Sequence, residues 1–163
     1  MRCLFTYRQT EGDELPPAEV PEWSLTTALE QLDIKRVPYT SPDGNTQGVS
    51  WERSIAINPV AAYPLKTTVH EVAHVVSGHT APDQQAEYQT HRGQMEFEAE
   101  ATAHLVLREL DVLTDEQASV SRGYVQSWMR GERPPEASIR KVFSNTTAIL
   151  RAGRLAIEGG DDA

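Results

Sequence analysis

Residues 67–79 read TTVHEVAHVVSGH. His70 and His74 stand four apart, Glu71 follows the first, and His79 lies just beyond. On a helix at 100° per residue, His70 and His74 fall about 40° apart on one face. Leu65, Val69, Val72 and Val76 share a similar arc on the opposite side. The stretch therefore predicts an amphipathic helix that buries an apolar stripe and turns its histidines toward a cleft. Pro64 suits the first turn of such a helix, where its missing N–H costs nothing.

Side chains four apart on a helix have Cβ atoms ~5–6 Å from each other, so both imidazoles can reach one ion. H-E-x-x-H is the pattern of zinc sites built for hydrolysis. Neutral imidazoles suit zinc, and the adjacent glutamate can take a proton from water activated there. The alternative is a polar helix face with solvated histidines. His79 does not complete the longer three-histidine pattern. That arrangement needs glycine at 77 and histidine at 80, where Ser77 and Thr80 stand. His79 is expected to end the helix after Gly78, with a place behind the ligands or beside the substrate as the lesser alternative.

A third ligand must come from elsewhere, and EFEAEATAH at 96–104 is the candidate. Glu96 and Glu100 lie about 40° apart, whereas Glu98 points about 200° from Glu96 and is expected to meet water. Ala99, Ala103, Val106 and Leu110 form the neighbouring apolar stripe. A carboxylate at the edge of a core costs on the order of several kcal/mol unless it meets a cation or donors. A shared explanation makes Glu96 the ligand and Glu100 the acceptor for a ligating imidazole, fixing that ring's tautomer. The reverse assignment, with Glu100 as ligand, stays open, and so does a solvated acidic face. His104, one further turn on, could line the cleft. Three protein ligands leave a fourth position for water, whose pKa zinc lowers toward about 7. Electrophilic help for an oxyanion could come from Tyr124 or a histidine, the alternative for Tyr124 being packing beside Trp128.

Composition sets the bounds. The chain has 163 residues, 39% hydrophobic and 24% charged, which suits one soluble domain spanning 1–163 with a real core. A net charge of −9 disfavours direct nucleic-acid binding. The single cysteine, Cys3, excludes an internal disulfide and is expected on a strand rather than at the metal. No apolar run approaches the ~20 residues of a membrane span, and no signal pattern opens the chain, so a cytoplasmic location is expected.

Along the chain, MRCLFTYRQ reads as a strand and Ser24 as the N-cap of a helix carrying Leu25, Ala28, Leu29 and Leu32. IKRVPYT and GVSWERSIAINP read as strands joined in a hairpin across SPDGNT, with Pro38 placing the first at an edge. A polar loop is expected from about Ala81 to Gly93, then helices over QMEFEAEATAHLVLREL, ASVSRGYVQSWMRG and Pro135 to about Gly153. Residues 158–163 read as a disordered tail. The order predicts an α+β fold: a small sheet of about three strands with four to five helices packed on one side.

SIAINP, TTVHEVAHVVSGH and EFEAEATAHLV together resemble the ImmA/IrrE-like zinc metallopeptidases, and more closely the peptidase-like domain of ArdC-type antirestriction proteins. CLFTYRQTEGDELP resembles the segment that opens that domain, and GYVQSWMRGE the Tyr…Trp helix that follows the third ligand. The likeness runs over most of the chain, loosely between about residues 15 and 50. It implies a zincin-like fold, one Zn2+ held by His70, His74 and Glu96, and Glu71 as catalytic acid/base. It further implies a protein or peptide substrate and a phage or plasmid antirestriction or regulatory role. ArdC-type proteins usually carry an N-terminal single-stranded-DNA-binding domain. This sequence starts after that point, so DNA binding is not carried over. The rival expectation, from another class, is a zinc-binding module of weak or no activity that acts by binding a partner protein.

Overall fold

Ser24 caps the first helix as its residue type predicts: its side chain accepts a hydrogen bond from the Thr27 amide at 3.2 Å. The computed structural model describes residues 22–41, 45–129 and 132–155, without the side chains of 85–89. The expected strand MRCLFTYRQ, with Cys3, and the tail 158–163 lie outside the described residues. Helix α1 is Leu25–Gln31, and three strands follow: β1 Lys35–Arg36, β2 Gly48–Trp51 and β3 Ser54–Ile57. Then come α2 Pro64–Val76, a 3-10 turn Pro82–Gln84, α3 Gln85–Glu109, α4 Asp115–Met129 and α5 Glu136–Ala152. Among the described residues this is an α+β fold, with five α-helices and a three-stranded mixed sheet. No described helix is long and apolar enough to cross a membrane.

The sheet order is β1-β3-β2, with β1 parallel and β2 antiparallel to β3. In the described sheet β1 lies at an edge, in agreement with Pro38, but β1 and β2 do not pair as the expected hairpin across SPDGNT. The connection carries the chain from one flank of β3 to the other. Its base is closed where Tyr39 Oη donates to the Thr46 carbonyl at 2.8 Å. The hairpin joins β2 to β3 instead, splitting GVSWERSIAINP at Glu52–Arg53, with Trp51 opposite Ser54. Two-residue hairpin turns need a left-handed residue, and Glu52 supplies one at φ 47° without being glycine or asparagine. Thr80 supports it: its carbonyl accepts from the Glu52 amide at 2.9 Å and its hydroxyl donates to the Glu52 carbonyl at 2.6 Å. The turn is held by tertiary contacts that leave no turn signal in the sequence.

Pro64 takes the first helical position of α2. The helix ends in a Schellman arrangement around Gly78 at φ 78°, with the His79 amide on the His74 carbonyl at 3.0 Å and the Gly78 amide on the Val75 carbonyl at 3.1 Å. That reversal folds His79 back beside His74. The expected stripe is only part of the buried surface. Val69 and Val72 are in the core, but Leu65 is exposed and residues 71–75 are buried without interruption.

The polar loop expected to Gly93 is shorter. Helix begins at Gln85 and runs on through non-helical dihedrals at His91, because Gln, Ala and Glu are good helix formers and no proline stands between Pro82 and Gly93. α3 packs against α2, α4 and α5 and is buried continuously over residues 95–100. Ile55, Val69, Val72, Ala99, Ala103, Val106, Leu107 and Ile149 pack together as the core. The far end of α5 is tied to α1, where the Ser24 amide reaches the Gly153 carbonyl at 2.8 Å.

Candidate metal centre

α2 and α3 lie side by side, and their contact brings three ligand atoms together. His70 Nε2 and His74 Nε2 are 3.1 Å apart. Glu96 Oε2 is 3.4 Å from the first and 3.7 Å from the second. Ligands ~2.0–2.1 Å from a small tetrahedral ion stand about 3.3 Å from one another, so the triangle has the right size.

The donor set is right as well. His70 Nδ1 lies 3.0 Å from Glu100 Oε2, an acceptor that keeps a proton on Nδ1 and makes Nε2 the nitrogen able to offer a lone pair to an ion. Facing the Glu96 carboxylate at 3.4 Å, Nε2 can carry a proton or give that place to a bound cation. His70, His74 and Glu96 could therefore hold a metal ion.

Glu100 stands where the face argument put it, behind His70 rather than in the triangle. It also accepts from Ser121 Oγ of α4 and pairs with Lys66 Nζ at 2.6 Å. Burial alone would raise its pKa, but bonds from His70 and Lys66, and the Lys66 charge, bring it down to about 2. Burial would likewise lower His70. The carboxylates of Glu100 and Glu96, with the charge of Glu71, outweigh that and lift it to about 9. The pocket attracts positive charge.

Glu98 corrects the sequence reading. Expected in water, it is 1% exposed. It accepts from His79 Nε2 at 2.9 Å, Ser138 Oγ at 2.6 Å and Gln94 Nε2 at 3.1 Å, and pairs with Lys141 Nζ at 2.8 Å. Burial opposes its charge, yet these four partners hold its carboxyl well below the usual carboxylate range. The wheel gave the right direction and the wrong medium, because α5 covers that side of α3. His79 follows Gly78 as expected and sits between two partners, its Nδ1 3.0 Å from His74 Nδ1. Burial lowers its pKa more than Glu98 restores it.

The triangle opens into a cleft of about 1070 Å³ between β2 and α4. Glu71 lines it, and its Oε2 accepts from Ser50 Oγ of β2 at 2.6 Å. Gly48 makes that approach possible. A Cβ at 48 would stand 2.7 Å from Thr67 Cγ2 and 3.0 Å from Glu71 Oε1, so any side chain would push strand and helix apart. From α4, Val120, Tyr124 and Trp128 line the opposite wall. Tyr124 is exposed, with Lys66 Nζ 5.8 Å from its ring centre, and Arg92 lies 5.2 Å from the Trp128 ring. His104 is not among the cleft-lining residues. It is half-buried on α3, where burial and then the Arg122 charge lower its pKa.

Sequence reasoning missed Ser50, Gly48, Lys66, Ser121, Ser138 and Lys141. Lys66 had a usable signal, lying one turn before His70 on the same helix face. The others come from β2, α4 and α5, and nothing in their local pattern marks them. No protein-family model matches the chain, and no curated protein or solved structure matches it either.

Proposed function

We propose that this chain is a zinc-dependent metallopeptidase domain of zincin type, with His70, His74 and Glu96 as the metal ligands and Glu71 as general base and acid. The observation that carries the reading is the ligand triangle with a glutamate adjoining it on the wall of an open cleft. Bound there, zinc supplies Lewis acidity, lowering the pKa of water and polarising a carbonyl oxygen.

The chain's own groups do the rest. The Ser50 hydroxyl occupies one lobe of Glu71 Oε2, orienting the carboxylate while leaving it capacity to take a proton from the attacking water. The same carboxyl then returns the proton to the departing amine. β2 is an edge of the described sheet and runs along the cleft, so an extended peptide could add to it by main-chain hydrogen bonds. Tyr124 on the opposite wall is the candidate donor to the developing oxyanion. A protein or peptide substrate fits this shape, and the resemblance to ArdC-type antirestriction proteins supports it.

Zinc content of the purified protein, measured beside cleavage of a peptide library by wild type and Glu71→Gln, tests the proposal. One zinc per chain, with cleavage abolished only in the variant, is expected. Absence of zinc, or equal cleavage by the two proteins, refutes it.

A further inference from the structure

His74 Nε2 belongs to the ligand triangle, and its other ring nitrogen points into the core. There Nδ1 meets His79 Nδ1 at 3.0 Å, and His79 Nε2 meets Glu98 Oε2 at 2.9 Å. Two imidazole nitrogens this close share one proton, and the far end of the chain decides its direction. Glu98 already receives Ser138 Oγ and Gln94 Nε2 and faces the Lys141 ammonium, so it is an acceptor for His79. His79 then carries its proton on Nε2 and presents a lone pair at Nδ1. That lone pair takes the Nδ1 proton of His74, which leaves His74 Nε2 bare toward Glu96. This choice of protons gives the His74–His79 and His79–Glu98 contacts one donor and one acceptor each.

The geometry points to His79 and Glu98 as positioning residues: a relay from α5 through the core that fixes the His74 proton on Nδ1 and holds Nε2 open to the ion. The inference rests on the metal-site reading above and adds residues of α5, a helix that contributes nothing to the cleft wall. His70 reaches a carboxylate directly, through Glu100, whereas His74 reaches one through a second imidazole. α5 covers Glu98 at that terminus, and Ser138 and Lys141 hold it there.

Zinc affinity of the full chain, measured by competition with a chelator, separates the possibilities. His79→Phe keeps the ring and removes the relay, and a loss of roughly tenfold to a hundredfold is expected. His79→Gln should recover most of it, since its amide oxygen can accept from His74 and its nitrogen can donate to Glu98. Unchanged affinity in His79→Phe overturns the relay alone, whereas a wild type that takes up no zinc overturns the metal site together with it. Should His79→Phe not fold, nitrogen-15 spectra of the wild-type histidines decide, before and after zinc is added. His79 protonated on Nε2 and bare at Nδ1 in both supports the relay. A proton on His79 Nδ1 overturns it.

Discussion

His70 and His74 share one face of α2, yet they are supported from opposite directions. His70 is backed from the cleft side by Glu100, which Lys66 and Ser121 hold at the boundary with α4. His74 is backed from the core, by His79 and Glu98, which α5 holds. The first arrangement is compact and borders the cleft. The second extends across the interior and is closed to solvent. A helix pattern predicts both imidazoles equally well. Their supports differ because one side of α2–α3 ends at a cleft and the other at another helix.

The largest effect expected is on chemistry alone. Glu71→Gln should lower the cleavage rate by about 10²–10⁴-fold while zinc uptake stays at the wild-type level, as metal analysis and a peptide assay together would show. Loss of both activity and metal would make Glu71 part of the metal site rather than its neighbour.

The two ligands should then part company in stability. His70→Ala and His74→Ala should both abolish zinc uptake in the metal analysis. Each also takes a bond from a buried partner, but Glu100 keeps Lys66 and Ser121 after His70→Ala, whereas His79 loses its Nδ1 contact after His74→Ala. The second should therefore cost more, by about 1–3 kcal/mol in denaturant titration of the zinc-stripped proteins. Equal costs would erase the distinction between the open and closed supports.

Acid should weaken both supports. Glu98 and Glu100 have folded-state pKa values below the ordinary 4.5, with Glu100 at about 2. Such groups contribute stability that is fully present above the unfolded value and is lost as pH falls through the folded one. The melting temperature of wild type should therefore drop between about pH 5 and pH 2. Glu98→Gln should flatten that drop, because the carboxylate it removes titrates there.

The smallest effect lies far from both regions. Ser24→Ala removes the α1 cap and should cost about 1 kcal/mol with zinc affinity and cleavage untouched, since α1 meets β1 and α5 but not the cleft. A change in zinc affinity would mean that α5 transmits strain from its α1 end to Glu98.

Local pattern carried much of this architecture. The Pro64 start, the Gly78 stop and the valines of α2 are short-range features, and the structure keeps them. The Ser24 cap and the α+β order were equally legible. Where local signals and tertiary contacts disagreed, the contacts prevailed. SPDGNT looks like a hairpin turn and is not used as one. Glu52–Arg53 does not look like one, yet it turns because Thr80 clamps it. The candidate ligands were legible for a related reason. Helical periodicity fixes which side chains share a face, and His70, His74, Glu96 and Glu100 follow from it.

By itself, then, the sequence determined the faces: which side chains of α2 point together, and which carboxylates of α3 oppose one another. Tertiary structure alone decided what each face meets. Glu98 and Glu100 are both acids on one helix, and α5 put the first in the core while α4 and Lys66 put the second behind His70. Angular position is a property of the covalent chain and its helical repeat. The surrounding medium, with its donors and its distance from water, depends on segments remote in sequence that only packing brings together.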